Sequence, residues 1–170
     1  MNKVFLIGLP ASGKTTTGKW LAGKMGWDFM DLDQFIVQQT GSSIFEIFET
    51  QGEEAFRKIE ADCLRQTKDL NRIVIACGGG TAAHLSNMDW MISQGMTVYL
   101  NPEIKVISQR LEHNSAERPL FASLNSIEIE QKLLNLLEER AVYYSKSKIV
   151  WNKPQPNDIL YFAVNQLIAN

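Results

Sequence analysis

The feature that most constrains this chain is a glycine-rich turn near its N-terminus. The apolar run at residues 4–7 leads directly into residues 8–15, which fit the pattern Gly-x-x-x-x-Gly-Lys-Thr. A strand, such a loop and a following helix form a P-loop, whose backbone N–H groups converge on nucleotide phosphates. The helix predicted at residues 15–25, ended by Gly26, adds partial positive charge at its N-terminus. We therefore expect a nucleotide-phosphate site at the carboxyl end of the first strand.

Four residues of this loop have roles that follow from their chemistry. Lys14 would reach the β- and γ-phosphates, and the Thr15 hydroxyl would ligate Mg²⁺. Gly8 and Gly13 stand where a Cβ would obstruct the approach of the backbone or where an unusual φ is needed. The loop therefore predicts an ATP site with Mg²⁺ as the cofactor.

Size and composition limit the class of protein. The chain has 170 residues, of which 45% are hydrophobic, so we expect one domain over residues 1–170. Its two cysteines, Cys63 and Cys77, lie far apart in apolar patterns, which predicts reduced thiols. No signal-peptide pattern or membrane-length apolar stretch is visible, so we expect a cytoplasmic protein. A net charge of −2 without a dense Lys/Arg block argues against nucleic-acid or membrane partners.

Short apolar runs alternate with longer helical stretches along the rest of the chain. We predict further strands at residues 27–31, 72–77, 97–100 and 149–151. Helices are predicted from residue 34, over 53–70, from Ser86 as N-cap, from residue 101, over 125–144 with Asn125 and Glu128 as a capping box, and over 158–169. This alternation indicates βαβ units and a parallel sheet with right-handed crossovers.

Polar residues just past the strands are the candidates for ligand contacts, because parallel α/β sheets bind ligands at that edge. Asp31 and Asp33 follow the second strand, and residues two apart in an extended chain face the same side. We expect one carboxylate to hold a magnesium-bound water and the other to accept a proton from an attacking hydroxyl. The alternative is that an aspartate after a strand caps the next helix.

A run of three glycines, Gly78, Gly79 and Gly80, follows the strand at residues 72–77. One glycine would serve for a turn, so the run indicates a bare backbone whose N–H groups can approach a ligand. On the preceding helix, Arg57 and Glu60 lie three apart. This pair is explained equally well as a solvent-exposed ion pair, worth about 0.3–0.5 kcal/mol, or as a substrate-binding arginine. The stripe predicted to be buried beside the pair consists of Phe56, Ile59, Cys63 and Leu70.

A set of motifs, in this order and spacing, is similar to that of bacterial shikimate kinases over nearly the whole chain. The motifs are the P-loop, Asp31-x-Asp33, Gly52-x-x-x-Phe56-Arg57-x-x-Glu60, Gly78-Gly79-Gly80, Arg118-Pro119-Leu120 and Glu139-Arg140-x-x-x-Tyr144. The resemblance implies an α/β, three-layer P-loop NTPase fold with a five-stranded parallel sheet of order 2-3-1-4-5. It also implies ATP-dependent phosphorylation of the 3-hydroxyl of shikimate, in aromatic amino-acid biosynthesis.

The same resemblance implies roles for individual residues. The ATP contacts would be Ala11, Ser12, Gly13, Lys14, Thr15, Thr16, Arg110, Arg118 and Gln155. The shikimate contacts would be Asp33, Arg57, Gly79 and Arg140. Mg²⁺ would be held by Thr15 and, through water, by Asp31.

The catalytic residues implied by the resemblance are Lys14, Asp33 and Arg118, with Asp33 as the base for the reacting hydroxyl. Arg118 would be carried by a mobile lid at about residues 112–124 and reach the ATP phosphates. Members of the family usually have Gly where this chain has Ala11. The partners would be ATP and shikimate alone, and we expect a monomer.

Two other functions are compatible with a P-loop. One is a kinase for another small hydroxy acid or polyol, such as gluconate, on the same fold. The motif from Gly52 to Glu60 and the glycine run argue against it. The other is a nucleotide-dependent switch without turnover, against which the intact Lys14, Thr15, Asp33 and Arg118 argue.

Overall fold

The structure is a computed structural model and describes residues 2–113, 121, 124–152 and 155–169. The strands are β1 Lys3–Ile7, β2 Asp28–Asp31, β3 Ile73–Ala76, β4 Met96–Asn101 and β5 Ile149–Asn152. The helices are α1 Lys14–Met25, α2 Leu32–Thr40, α3 Ile44–Gln66, α4 Asn87–Gln94, α5 Ile104–His113, α6 Ser126–Tyr144 and α7 Asn157–Ala169. Short 3₁₀ turns occupy Thr67–Asp69 and Thr81–Ala83.

The five strands form one parallel sheet of order β2-β3-β1-β4-β5, which confirms the predicted topology. β1 lies at the centre and pairs in parallel with both β3 and β4. All its residues are buried, as expected for a strand that is covered on both faces. The loop that follows β1 therefore leaves the sheet at its centre, between the ends of β3 and β4.

Alternate residues of β1 belong to separate cores on the two faces of the sheet. Phe5 and Ile7 lie in a core with apolar residues of α2 to α6. Val4 and Leu6 lie in a second core with residues of α1 and α7. The period of two in side-chain direction along a strand explains this division. The result is the expected three-layer arrangement of helices, sheet and helices.

The largest error in the predicted helices concerns α3. The helix begins at Ile44, after a capping box between Ser43 and Glu46, and continues across a kink at Gly52, where φ is 81°. The sequence pattern predicted only the segment after this glycine, because the capping box was not recognised. The regular helix also ends at Gln66, so Leu70 lies beyond it, is 37% exposed and does not extend the buried stripe.

Smaller differences concern the ends of other helices. Ser86 precedes α4 as predicted, but its φ is 55° and its side chain makes no capping hydrogen bond. α5 begins at Ile104 rather than at residue 101. The capping box of Asn125 and Glu128 is confirmed at the start of α6. Both cysteines are free and buried, as predicted.

Most of the lid predicted at about residues 112–124 lies outside the described residues. Of the segment at residues 112–124, the structure describes 112, 113, 121 and 124, and Arg118 lies outside the described residues.

Within the described chain, no helix has both the length and the apolarity that a bilayer span requires.

Two glycines of α1 provide a matched test of how this helix packs. A Cβ at Gly18 would lie 2.5 Å from a ring carbon of Phe29 and 3.1 Å from Leu6 Cδ1, whereas nothing lies within 4 Å of a Cβ at Gly23. Gly23→Ala should raise the free energy of unfolding by up to about 1 kcal/mol through helix propensity. Gly18→Ala should lower it by about 1–2 kcal/mol, because overpacking outweighs that gain. Urea denaturation measures both, and equal gains at the two positions would contradict the described packing.

Candidate functional site

The P-loop has the backbone geometry that its glycines predict. Gly8 and Gly13 have φ of 141° and 96°, and a Cβ on Gly8 would lie 2.5 Å from the carbonyl oxygen of Leu100. Lys14 begins α1 and is nearly buried, and its Nζ donates to the carbonyls of Gly8 at 3.0 Å and Leu9 at 2.8 Å. The ammonium is therefore held against the loop whose N–H groups would receive phosphate.

Other predicted ATP contacts within the described residues are Ala11, Ser12, Thr16, Arg110 and Gln155. Arg110 of α5 donates from Nη1 to the carbonyl of Ala11 at 3.0 Å, so this distant arginine reaches the P-loop. Ala11 itself has a φ of 58°, the left-handed conformation that glycine adopts more easily. Ser12 is buried beneath the loop, Thr16 is exposed on α1, and Gln155 is exposed between β5 and α7.

Asp31 joins the P-loop to the start of α2. Thr15 Oγ1 donates to Asp31 Oδ2 at 2.7 Å. The other carboxylate oxygen, Oδ1, accepts from the backbone N–H groups of Asp33 at 3.1 Å and Gln34 at 3.4 Å, so Asp31 is also the N-cap of α2. The ligand role and the capping role, which the sequence left as alternatives, are thus compatible in one side chain.

The geometry predicted for the aspartate pair is wrong, because Asp33 is not in extended chain. α2 begins at Leu32, directly after β2, and places Asp33 in its first turn. The carboxylate still faces the site. Asp33 Oδ1 lies 2.9 Å from where a Cβ on Gly78 would be. The side chain also borders a cleft of about 370 Å³ between α2 and the start of α3, whose other lining residues are outside the glycine run and the P-loop.

Each residue of the glycine run (Gly78, Gly79 and Gly80) is in close contact with a different part of the site. A Cβ on Gly78 would lie 2.9 Å from both Asp33 Oδ1 and Glu60 Oε1. None of the three has a positive φ, so close approach rather than backbone conformation explains the glycines.

The other two glycines contact the P-loop and α3. A Cβ on Gly79 would meet the Pro10 ring at 2.9 Å, and one on Gly80 would meet Arg57 Nη2 at 2.7 Å. Any side chain in the run would therefore displace an element of the site.

Arg57 is held by one buried and one exposed carboxylate. Its Nη1 donates to Glu60 Oε2 at 2.9 Å, and its Nη2 and Nε donate to Glu53 Oε1 at 3.0 and 3.2 Å. Glu60 is 1% exposed and also accepts from Thr81 Oγ1 at 2.6 Å. Of the two alternatives that the sequence left open for this pair, a solvent-exposed ion pair is therefore wrong for Glu60. Sequence reasoning did not assign a functional role to this residue, although its spacing from Arg57 beside the buried stripe was visible.

Arg140 reaches the same place from α6. Its Nη1 donates to the carbonyl of Gly79 at 2.9 Å, and the hydroxyl of Tyr144 donates to the same oxygen at 2.6 Å. Arg140 and Tyr144 are four residues apart, so they lie on one face of the helix. The structure thus brings Arg57 and Arg140 to neighbouring residues of the glycine run, although they are far apart in the chain.

Three titratable side chains near the glycine run are uncharged at neutral pH. Burial raises the pKa of the Cys77 thiol and raises that of Tyr144 to about 12. Burial and then the charge of Arg57 lower the pKa of His84. These three groups therefore add no charge beside Arg57 and Arg140 at neutral pH.

The fold and the loop together define the class of protein. A P-loop at the carboxyl end of the central strand, in a parallel sheet of order β2-β3-β1-β4-β5, is the arrangement of a P-loop NTPase. Lys14 and Thr15 stand at the start of α1, where phosphate and its metal ion would be bound.

Comparison with known proteins identifies the family within this class. The family model described as shikimate kinase matches residues 10–166. A shikimate kinase of Azobacteroides pseudotrichonymphae is 39% identical over 163 residues, which cover 94% of this chain and 96% of the relative. This chain belongs to the shikimate kinase family.

Solved structures agree with this assignment. The crystal structure of shikimate kinase from Bacteroides thetaiotaomicron has a TM-score of 0.91 at 29% identity and covers 99% of both chains. Shikimate kinase from Acinetobacter baumannii in complex with shikimate has a TM-score of 0.86 at 32% identity, covering 99% of this chain and 93% of that one.

The two carboxylates on Arg57 allow a matched stability test. Glu60→Gln should lower the free energy of unfolding by about 1–3 kcal/mol, because it weakens buried charge-assisted hydrogen bonds. Glu53→Gln removes the charge from a side chain that is 62% exposed, so it should change stability by less than about 0.5 kcal/mol. Thermal denaturation at neutral pH compares the two. An equal effect of both variants would show that Glu60 is not the anchor of Arg57.

Proposed function

We propose that this chain transfers the γ-phosphoryl group of ATP to the 3-hydroxyl of shikimate, using the residues that meet at the glycine run. The observation that carries this assignment is the convergence of Asp33, Arg57 and Arg140 on residues 78–80, which also touch Pro10 of the P-loop. The groups proposed as the base, the anion-binding pair and the phosphate-binding loop are therefore neighbours. Membership of the shikimate kinase family supports the same reaction.

Recognition of shikimate would rest on its carboxylate. Two guanidinium groups directed at one carboxylate fix both its position and its plane. Glu60 anchors Nη1 of Arg57 from the buried side. The Nε and Nη2 edge of Arg57 contacts the exposed Glu53. At this edge the carboxylate of shikimate would replace the carboxylate of Glu53. Arg140 is fixed through the carbonyl of Gly79.

The oxygen donors at the start of α1 and α2 fit Mg²⁺. This ion prefers oxygen ligands and is usually bound by one or two protein groups together with phosphates and water. The Thr15 hydroxyl and an Asp31 carboxylate oxygen are 2.7 Å apart, so Thr15 would be the direct ligand and Asp31 would act through water. When bound, the ion would neutralise phosphate charge.

The protein's own groups would carry out the remaining steps. Lys14, held at the loop, would balance charge on the transferring phosphoryl group. Asp33 would orient the 3-hydroxyl and accept its proton as the oxygen attacks the γ-phosphorus, whose bond to the β–γ bridging oxygen breaks so that ADP leaves. Residues at about 112–124 would form a lid over ATP, from which Arg118 would add charge to the phosphates, and closing of the lid would exclude water.

The other expectations from the sequence stay predictions. They are adenine contacts by Arg110 and Gln155, a monomeric state, a cytoplasmic location and the absence of nucleic-acid or membrane partners.

Asp33→Asn tests the proton acceptor. The amide keeps the shape of the side chain and loses its charge, so kcat should fall by roughly 10²- to 10⁴-fold while ATP affinity changes little. Asp28→Asn, at the opposite end of β2, is the matched control and should keep wild-type kcat. A coupled assay of ADP release with saturating shikimate measures both. An Asp33→Asn variant with near wild-type kcat would exclude base catalysis by this residue.

Arg57→Ala and Arg140→Ala test recognition of the carboxylate. Losing a charge-assisted hydrogen bond costs about 1.5–3 kcal/mol, so kcat/KM for shikimate should fall by roughly ten- to a few-hundredfold in each variant. Arg57→Lys should restore little, because an ammonium lacks the planar fork. Arg72→Ala is the control, since this exposed arginine bonds the carbonyl of Gly26 instead.

The readout for these variants is the preference for shikimate over an analogue with a neutral group in place of the carboxylate. Wild type should discriminate strongly, and both arginine variants should discriminate much less. Full preference for the acid in both variants would contradict the substrate-binding role of these arginines.

A further inference from the structure

Tyr144 is a fully buried side chain whose polar group points into the proposed substrate site. Tyr144 is 1% exposed, and its hydroxyl donates to the carbonyl of Gly79 at 2.6 Å. We propose that Tyr144 is a positioning residue for shikimate recognition, which acts on the substrate carboxylate through Gly79 and Arg140. This inference rests on the proposed function, because it concerns the same site.

One backbone oxygen beside Tyr144 receives two donors. The carbonyl of Gly79 accepts from Arg140 Nη1 at 2.9 Å as well as from Tyr144. A carbonyl oxygen has two lone pairs, so this pair of donors completes its hydrogen bonding. Gly79 has no side chain to hold it and rests against Pro10. Without the tyrosine hydroxyl, Arg140 would be attached to a less constrained peptide.

The ring of Tyr144 is fixed to the sheet. It stacks on Tyr99 of β4, with ring centroids 4.7 Å apart and planes inclined by 27°. Tyr99 is aligned with Ile7 of the central strand β1. The position of the Tyr144 hydroxyl is therefore fixed by the buried strands β1 and β4. Through its hydrogen bond, the hydroxyl in turn fixes the position of the Gly79 carbonyl.

The two stacked tyrosines differ in what their hydroxyls contact. The hydroxyl of Tyr144 donates to the carbonyl of Gly79. The hydroxyl of Tyr99 instead donates at 2.8 Å to Oδ1 of Asn101, the last residue of β4. Replacing either by Phe keeps the stacked rings and removes one hydroxyl. Tyr99→Phe is thus a matched control for Tyr144→Phe.

Steady-state kinetics of the two variants test the proposal. Tyr144→Phe should lower kcat/KM for shikimate by about three- to tenfold, the effect of one hydrogen bond. The loss should lie mainly in KM for shikimate, with KM for ATP unchanged. Tyr99→Phe should leave both values at the wild-type level. Equal losses in the two variants, or no loss in Tyr144→Phe, would overturn the positioning role.

The preference for shikimate over the neutral analogue separates positioning from stability. This ratio does not depend on the fraction of protein that is folded, because both substrates meet the same active molecules. It should fall in Tyr144→Phe and stay unchanged in Tyr99→Phe. In an Arg140→Ala background, Tyr144→Phe should cause no further fall, since its effect passes through Arg140. A further fall of the same size would show that Tyr144 acts independently of Arg140 and would overturn the proposal.

The same experiment distinguishes failure of the inference about Tyr144 from failure of the proposed function. If wild type does not phosphorylate shikimate, the proposed function fails and this inference fails with it. If wild type and Arg140→Ala behave as expected but Tyr144→Phe retains the wild-type ratio, only the inference about Tyr144 fails.

Discussion

Close packing against the glycine run is the constraint on which the candidate site depends. The backbone at residues 78–80 leaves no room for side chains, because Asp33, Glu60, Arg57 and Pro10 occupy the places that Cβ atoms would take. Elements from β1, α2, α3 and α6 can therefore meet at the carboxyl end of β3. Glu60 is buried in this arrangement, so its carboxylate needs hydrogen-bond donors. Arg57 and Thr81 donate to it.

The site divides into a local part and a distributed part. The phosphate-binding part is built from consecutive residues, and the P-loop with Lys14 and Thr15 would serve a nucleotide in many enzymes. The part that selects the acceptor has Arg57 on α3 and Arg140 on α6, each fixed by partners other than the substrate. Recognition of the acceptor is thus a property of the whole fold, whereas phosphate binding is a property of one turn.

The division explains what could be predicted from the sequence. Residues 8–15 and the alternation of strands and helices were sufficient for the P-loop and a parallel sheet, and the family motifs added the strand order. The extended backbone predicted for Asp33 was wrong because α2 begins immediately after β2. Burial of Glu60 could not be read from its spacing, since an exposed helical pair has the same pattern. The hydrogen bond from Tyr144 to Gly79 depends on tertiary contact and has no local signal.

The central claim is that residues meeting at the glycine run select shikimate as the phosphoryl acceptor. The most direct measurement is ADP formation by the wild-type protein with ATP and Mg²⁺, in parallel reactions that contain shikimate, gluconate or other small hydroxy acids and polyols. The phosphorylated product is identified by ³¹P NMR. The account predicts ADP and shikimate 3-phosphate in equal amounts, with the other acceptors at the background rate. Comparable turnover of gluconate, or ADP formation that shikimate does not stimulate, would contradict it.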